Sequence, residues 1–188
     1  MVAGDSILIR AVEENDVDVI DKWRKCFDFK EVYCFKTVFG TDDIMSEVVS
    51  DKKFPCDIYF MIVDKEYKNP IGECILSHID YTNKTCLCSV YIGDEEMRDK
   101  GYGSEAIRLT LDFAFNELGL NRAGAWISSF NKYGMKCFKK CGFKVEGIMR
   151  EGIYSDGRYH DMYFMGILKS EYNVACEGRD GQCSKENM

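Results

Sequence analysis

The chain has 188 residues, a net charge of −7 and 46% apolar residues, enough for one domain with a sizeable core and too apolar for a disordered chain. The acidic balance argues against a nucleic-acid partner and favours a cationic substrate. No apolar run approaches a membrane helix, residues 1–10 lack a basic segment followed by an apolar one, and the 10 cysteines include no Cys-x-x-Cys, so a reduced, cytoplasmic protein without membrane attachment is expected.

Residues 6–12 read as a first strand. Asn15 or Asp16 is placed to cap the helix that follows, with Val17, Ile20, Trp23 and Phe27 on one face. An aromatic stretch, 33–39, leads to Gly40, and Thr41 caps a second helix over 42–49. Strands are predicted at 57–63, 71–79 and 85–92, joined by polar turns at 65–70 and 82–84. From Ala106 to Leu118 the apolar residues recur at three and four, a helix that Gly119 ends. A strand at 123–128 follows. Asn131 then caps a helix whose last turn carries Lys139 and Lys140 and which Gly142 stops. Residues 144–154 and 159–168 form a long hairpin across Asp156-Gly157. One domain over 1–172 is expected, with a polar, disordered tail over 173–188. His78 and His160 are the only histidines, and no metal site is expected.

The strand at 85–92, the glycines at 101 and 103 and the helix after them form a strand–turn–helix unit suited to a phosphate. Helix N-termini present free N–H groups, and glycine lets a ligand approach. A Walker loop would need a Lys after Gly103, and a dinucleotide fingerprint would need a third glycine. A plain Gly-x-Gly turn is the structural alternative.

Arg98-x-x-Gly101-x-Gly103 resembles the pyrophosphate loop of the GNAT superfamily of acetyl-CoA-dependent N-acetyltransferases. Two further segments match in the same order. One is Asn131 followed by a helix ending Lys140-Cys141-Gly142-Phe143. The other runs from Val145-Glu146-Gly147 through Asp156-Gly157-Arg158-Tyr159-His160-Asp161. The last is similar to the branch of spermidine N-acetyltransferases and ribosomal-protein N-terminal acetyltransferases.

The resemblance implies an α/β fold with a mixed, mostly antiparallel twisted sheet flanked by helices and split near 85–92. It implies acetyl-CoA as co-substrate. Backbone N–H groups of Arg98, Asp99, Lys100, Gly101, Tyr102, Gly103 and Ser104 would hold the pyrophosphate, with charge added by Arg98 and Lys100. The strand end at Tyr91, Ile92 and Gly93 would pair with the pantetheine arm and polarise the acetyl carbonyl. Asn131 would bond the same arm. Asp99 stands where many relatives have Gly.

Relatives often protonate the departing thiolate with a Tyr at the position of Phe138, and carry a carboxylate at that of Leu87. Tyr133, Tyr91 and Ser129 are substitute acids; Glu73 and His78 are candidate bases, each with a packing role as the alternative. The acceptor would be a small polyamine-like amine or a protein N-terminus. Asp42, Asp43 and Glu47 favour the first as an acidic rim; Lys36 disfavours it. A non-catalytic acetyl-CoA-binding protein is the rival, and a homo-oligomer is possible in either case.

Overall fold

The computed structural model describes residues 1–26 and 55–172. Among these residues, eight strands form one sheet: β1 (Val2–Ala3), β2 (Ile7–Ala11), β3 (Ile58–Asp64), β4 (Pro70–Asp80), β5 (Thr85–Ile92), β6 (Arg122–Ser128), β7 (Lys144–Ser155) and β8 (Arg158–Leu168). Among the described residues, three α-helices accompany it: α1 (Val17–Arg24), α2 (Tyr102–Asp112) and α3 (Lys132–Lys140). The spatial order is β1-β2-β3-β4-β5-β6-β8-β7, antiparallel except at β5–β6.

Local chemistry sets this order. Asp64 closes the β3–β4 turn by accepting the N–H of Glu66 (2.9 Å) and Tyr67 (2.7 Å). Asp80 does the same at β4–β5 for Thr82 (2.9 Å) and Asn83 (2.8 Å). Short turns force antiparallel neighbours, whereas β5 reaches β6 through a helix and therefore lies parallel to it. Asp156 (φ 51°) and Gly157 (φ 78°) make the left-handed pair of a tight β7–β8 turn.

Strand alternation gives the sheet two unlike faces. On one, Ile7, Ile9, Phe60, Ile62, Leu76, Ala125 and Ile127 lie under α2 and α3 in a large apolar core. Cys74, Cys86 and Cys88 belong to it, and burial pushes the first two thiols up to about 12 and the third well above its usual 9.0. All seven cysteines among the described residues are free thiols, as expected. On the other face, Val17, Ile20 and Trp23 of α1 cover Met61, Val63 and Tyr91.

The structure departs from expectation in three places. Asp16 does not cap α1 with its side chain; it is buried, and its carboxylate takes Arg10 Nη1 at 2.6 Å, Arg10 Nη2 at 2.8 Å and the Glu13 N–H at 2.8 Å. The central helix begins four residues earlier than its apolar period suggests, and its last turn widens over Phe113–Glu117, where Leu118 N bonds Phe113 O at 3.1 Å. The short β1 was not anticipated. Phe27, the aromatic stretch with Lys36, the second helix, the rim of Asp42, Asp43 and Glu47, and the polar tail lie outside the described residues. Among the described residues, no helix is long and apolar enough to cross a membrane.

Candidate active site

The site begins where the sheet opens. Register between β5 and β6 runs from Thr85↔Arg122 to Leu87↔Gly124 and stops. Beyond it β5 stays with β4 as far as Gly72↔Ile92, and β6 stays with β8 as far as Ser128↔Met162. Gly124 packs its bare Cα under Leu87 and the Phe164 ring at the vertex. Gly93 N bonds back to Ile71 O at 2.9 Å. Backbone groups of successive strand residues point to opposite neighbours, so the N–H and C=O of Cys88, Val90 and Ile92 face the opening. Of the expected 91–93 segment, the Gly93 N–H is therefore committed to β4, and the Ile92 N–H is the one aimed at the cleft. Gly93 itself is required on the opposite side, because any Cβ there would sit inside the Trp23 indole.

The loop after β5 enters α2 with a left-handed Gly101 (φ 92°). Glu105 N is the first amide to return into the helix, to Gly101 O at 3.1 Å, so the N–H groups of Tyr102, Gly103 and Ser104 precede the helical ladder. A Cβ on Gly101 would meet nothing within 4 Å, and one on Gly103 only Cys137 Sγ and Ile92 Cγ1 at 3.9 Å each. The loop is thus bare towards the space above it, as a pyrophosphate requires. Asp99 is exposed and left-handed (φ 59°), a backbone conformation that favours glycine. Lys100 is also exposed. Tyr102 faces the charge of Asp64, on the side of β3; partial burial and then that charge raise its pKa.

α3 lies across the first turn of α2, with Cys141 Sγ donating to Ser104 O at 3.3 Å. Asn131 caps α3, its Oδ1 accepting the Gly134 N–H at 2.8 Å, so its amide nitrogen is the group left to meet a ligand.

Comparisons with known proteins agree with this fold. The family model described as an acetyltransferase (GNAT) domain matches residues 9–164. The chain belongs to the GNAT acetyltransferases. The probable N-acetyltransferase YjcK of Bacillus subtilis is 36% identical over 181 residues, covering 91% of this chain and 98% of that protein. The spermidine N(1)-acetyltransferase of Vibrio cholerae is 26% identical over 169 residues, covering 90% and 96%. The solved structure of spermidine N-acetyltransferase from Vibrio cholerae with CoA and spermine superposes with a TM-score of 0.82 at 24% identity, over 90% of this chain and 99% of that one, a likeness of fold. The chain is accordingly an acetyl-CoA-dependent N-acetyltransferase with the GNAT fold expected from its motifs.

Within this GNAT enzyme the candidate acids and bases scatter. Phe138 is buried and meets Phe143 edge-on at 4.9 Å. Tyr133 stands 73% exposed on the first turn of α3. Ser129 is half-buried, with its N–H on Asp161 O at 2.9 Å. Tyr91 is buried under α1 and accepts from Arg98 Nη2 at 3.2 Å. His78 is exposed in an irregularity of β4 (φ 52°), near the paired end of β5 and so away from the opening. Glu73 sits opposite Tyr91, level with the open half, but is 1% exposed and lies 3.8 Å from Arg24 Nη2. Of all these, Glu73 alone combines a carboxylate with the right height in the sheet.

Two features escaped the sequence. Arg98 bonds the Ile92 carbonyl (Nε to O, 3.0 Å), a contact no spacing rule announces. Ser128 Oγ, at the end of β6, is buried without a hydrogen-bond partner; its neighbour Ser129 was the residue expected. A cavity of about 560 Å³ lined by Arg150, Glu151 and Asp161 holds none of the expected residues. Among the described residues, no His, Cys, Asp or Glu cluster is arranged to hold a metal.

Proposed function

We propose that the enzyme acetylates a primary amine of a small, polyamine-like cation, holding acetyl-CoA between β5 and β6. The observation that carries the cofactor half is the parting of β5 from β6 after Leu87↔Gly124, directly before a helix start left bare by Gly101 and Gly103. The N–H groups of Tyr102, Gly103 and Ser104 would take the pyrophosphate, with the helix dipole behind them. Val90 and the Asn131 amide would hold the pantetheine arm. The acetyl thioester supplies an electrophilic carbon to a neutral amine, and CoA leaves as thiolate. The Ile92 N–H would stabilise the charge that develops on the carbonyl oxygen.

Support for the amine is the 26% identity to a spermidine acetyltransferase over nearly the whole chain, together with the net charge of −7. An ammonium must lose its proton before attack. Glu73 is held beside Arg24, so this reading gives the proton to solvent rather than to a dedicated base. A protein N-terminus is the second acceptor, favoured by the aromatic 33–39 stretch and its Lys36.

The test is thiol release with spermidine, spermine, aminoglycosides, amino sugars and N-terminal peptides. Turnover on polyamines is expected. Turnover confined to peptides moves the N-terminal reading ahead. Tight CoA binding with no turnover on any amine overturns the assignment in favour of a non-catalytic acetyl-CoA-binding protein.

A further inference from the structure

We propose that Arg98 is a positioning residue that holds the end of β5 in its splayed conformation, and not a ligand of the pyrophosphate; the inference rests on the acetyl-CoA reading above. The guanidinium spans two groups on the strand it follows. Nε donates to Ile92 O at 3.0 Å, and Nη2 donates to the Tyr91 hydroxyl at 3.2 Å. Its central carbon lies 5.6 Å from the Tyr91 ring centroid.

Each anchor is itself fixed. Tyr91 is 5% exposed and packed with Val17, Ile20, Trp23, Met61 and Val63. Gly93 is tied to β4 by its N–H on Ile71 O and pinned beneath Trp23. Ile92 is the residue between them, and its carbonyl faces the side that β6 has left. In a closed sheet that carbonyl would take an N–H from the next strand. Here Arg98 supplies the donor from the start of the pyrophosphate loop. The contact satisfies a strand carbonyl while leaving the Ile92 N–H on the same edge open to a ligand.

Geometry separates this role from charge. Bridging a backbone carbonyl and a phenol needs two donors in a fixed fork, which arginine has and lysine lacks. A phosphate contact needs only a positive end within reach. Lysine at position 98 should therefore fail as a clamp while remaining adequate as a phosphate counter-charge.

The experiment uses the full chain as wild type, Arg98→Lys, Arg98→Gln and Tyr91→Phe. Calorimetry compares CoA with pantetheine, which has the same arm without the pyrophosphate. Amide exchange over residues 90–94 is followed without ligand. A misplacement of about 1 Å at such a site is worth up to about a hundredfold. Both Arg98 variants are expected to weaken CoA by about tenfold or more, and pantetheine by the same factor, with Tyr91→Phe acting in the same direction and less. Exchange over 90–94 should accelerate in Arg98→Lys. CoA affinity retained in Arg98→Lys, pantetheine affinity unchanged in Arg98→Gln, or unchanged exchange in Arg98→Lys would each overturn the clamp. Wild type failing to bind CoA would remove the cofactor reading itself, and that outcome is seen before any variant is compared.

Discussion

The two faces of the sheet are built by different means. Under α2 and α3 lies an apolar layer of aliphatic side chains and protonated thiols, and its functional edge is made of backbone and glycine. Under α1 the layer carries charge: Arg10 on Asp16, Arg24 beside Glu73, and Arg98 on Tyr91 and Ile92. The first face is held by burial, which is non-directional and tolerant in detail. The second is held by pairs whose members are needed together. The two should therefore break under different stresses.

The largest effect is expected from splitting a pair. Arg24 and Glu73 have side chains only 8% and 1% exposed, so Glu73→Leu alone removes a carboxylate that lies 3.8 Å from a buried guanidinium. The expected loss is about 3–5 kcal/mol in urea unfolding. Glu73→Leu with Arg24→Met should recover most of it, since apolar residues of like volume replace a buried pair well. A single variant within about 1 kcal/mol of wild type would mean that the pair holds nothing up. Glu73→Gln separates strut from base. A general base contributes about 10²–10⁴-fold, so loss of kcat on that scale in a folded variant would make Glu73 catalytic after all.

The apolar face should fail with alkali instead. The folded pKa of Cys74 and of Cys86 is raised to about 12, and that of Cys88 lies well above the unfolded value of 9.0. Their contribution is fully present below pH 9 and is lost as pH rises towards the folded values. Each thiol then adds about 1.4 kcal/mol per pH unit to the slope. Cys86→Ala should flatten that slope by one proton, measured as urea midpoints at several pH values above 9. Asp16 behaves oppositely. Burial alone would raise its pKa, but the Arg10 guanidinium and the Glu13 N–H outweigh burial and hold it below 3.8. Its contribution is present above 3.8 and lost as pH falls through the folded value.

The same contrast explains what could be read in advance. The chain order of the elements, the hairpins and the helix cap at Asn131 follow from local rules, in which a turn residue or a glycine decides the backbone within a few positions. The charged face joins residues far apart in sequence, such as Arg24 with Glu73, and no periodicity records such a meeting. Asp16 illustrates the failure: its position said N-cap, while an arginine six residues upstream took the carboxylate. His78 was judged by chemistry alone, while the register of β4, with Ser77 opposite Leu87, sets it level with the paired end of β5. Gly93 was grouped with Ile92, though strand alternation sends its N–H the other way.

A narrower test concerns the glycine edge. Gly103→Val introduces a side chain whose first atom meets protein only at 3.9 Å, and its backbone is helical, so stability should move by no more than about 1 kcal/mol. CoA affinity should fall by about a hundredfold, because the branched group occupies the space over the free N–H groups; that is about 2.7 kcal/mol of binding. Unchanged CoA affinity by calorimetry would move the phosphates elsewhere.

The smallest effect is expected where relatives would suggest the largest. Phe138→Tyr restores a phenol at the position from which relatives often protonate the leaving thiolate. Two arguments limit what it can add. Phe138 is 6% exposed and packed edge-on against Phe143, so a new hydroxyl must either reach the opening or remain buried without a partner, which costs about 1–3 kcal/mol. A thiol also has a pKa near 8.5, against about 10.4 for an alkyl ammonium. Near neutral pH the scarce species is then the unprotonated amine, and thiolate departure is the easier step. kcat should rise by less than about threefold at pH 8, with the pH profile still climbing towards the pKa of the amine. A tenfold rise in kcat, or a profile flattened below pH 8, would show that departure of the thiolate limits the enzyme and that the missing phenol matters.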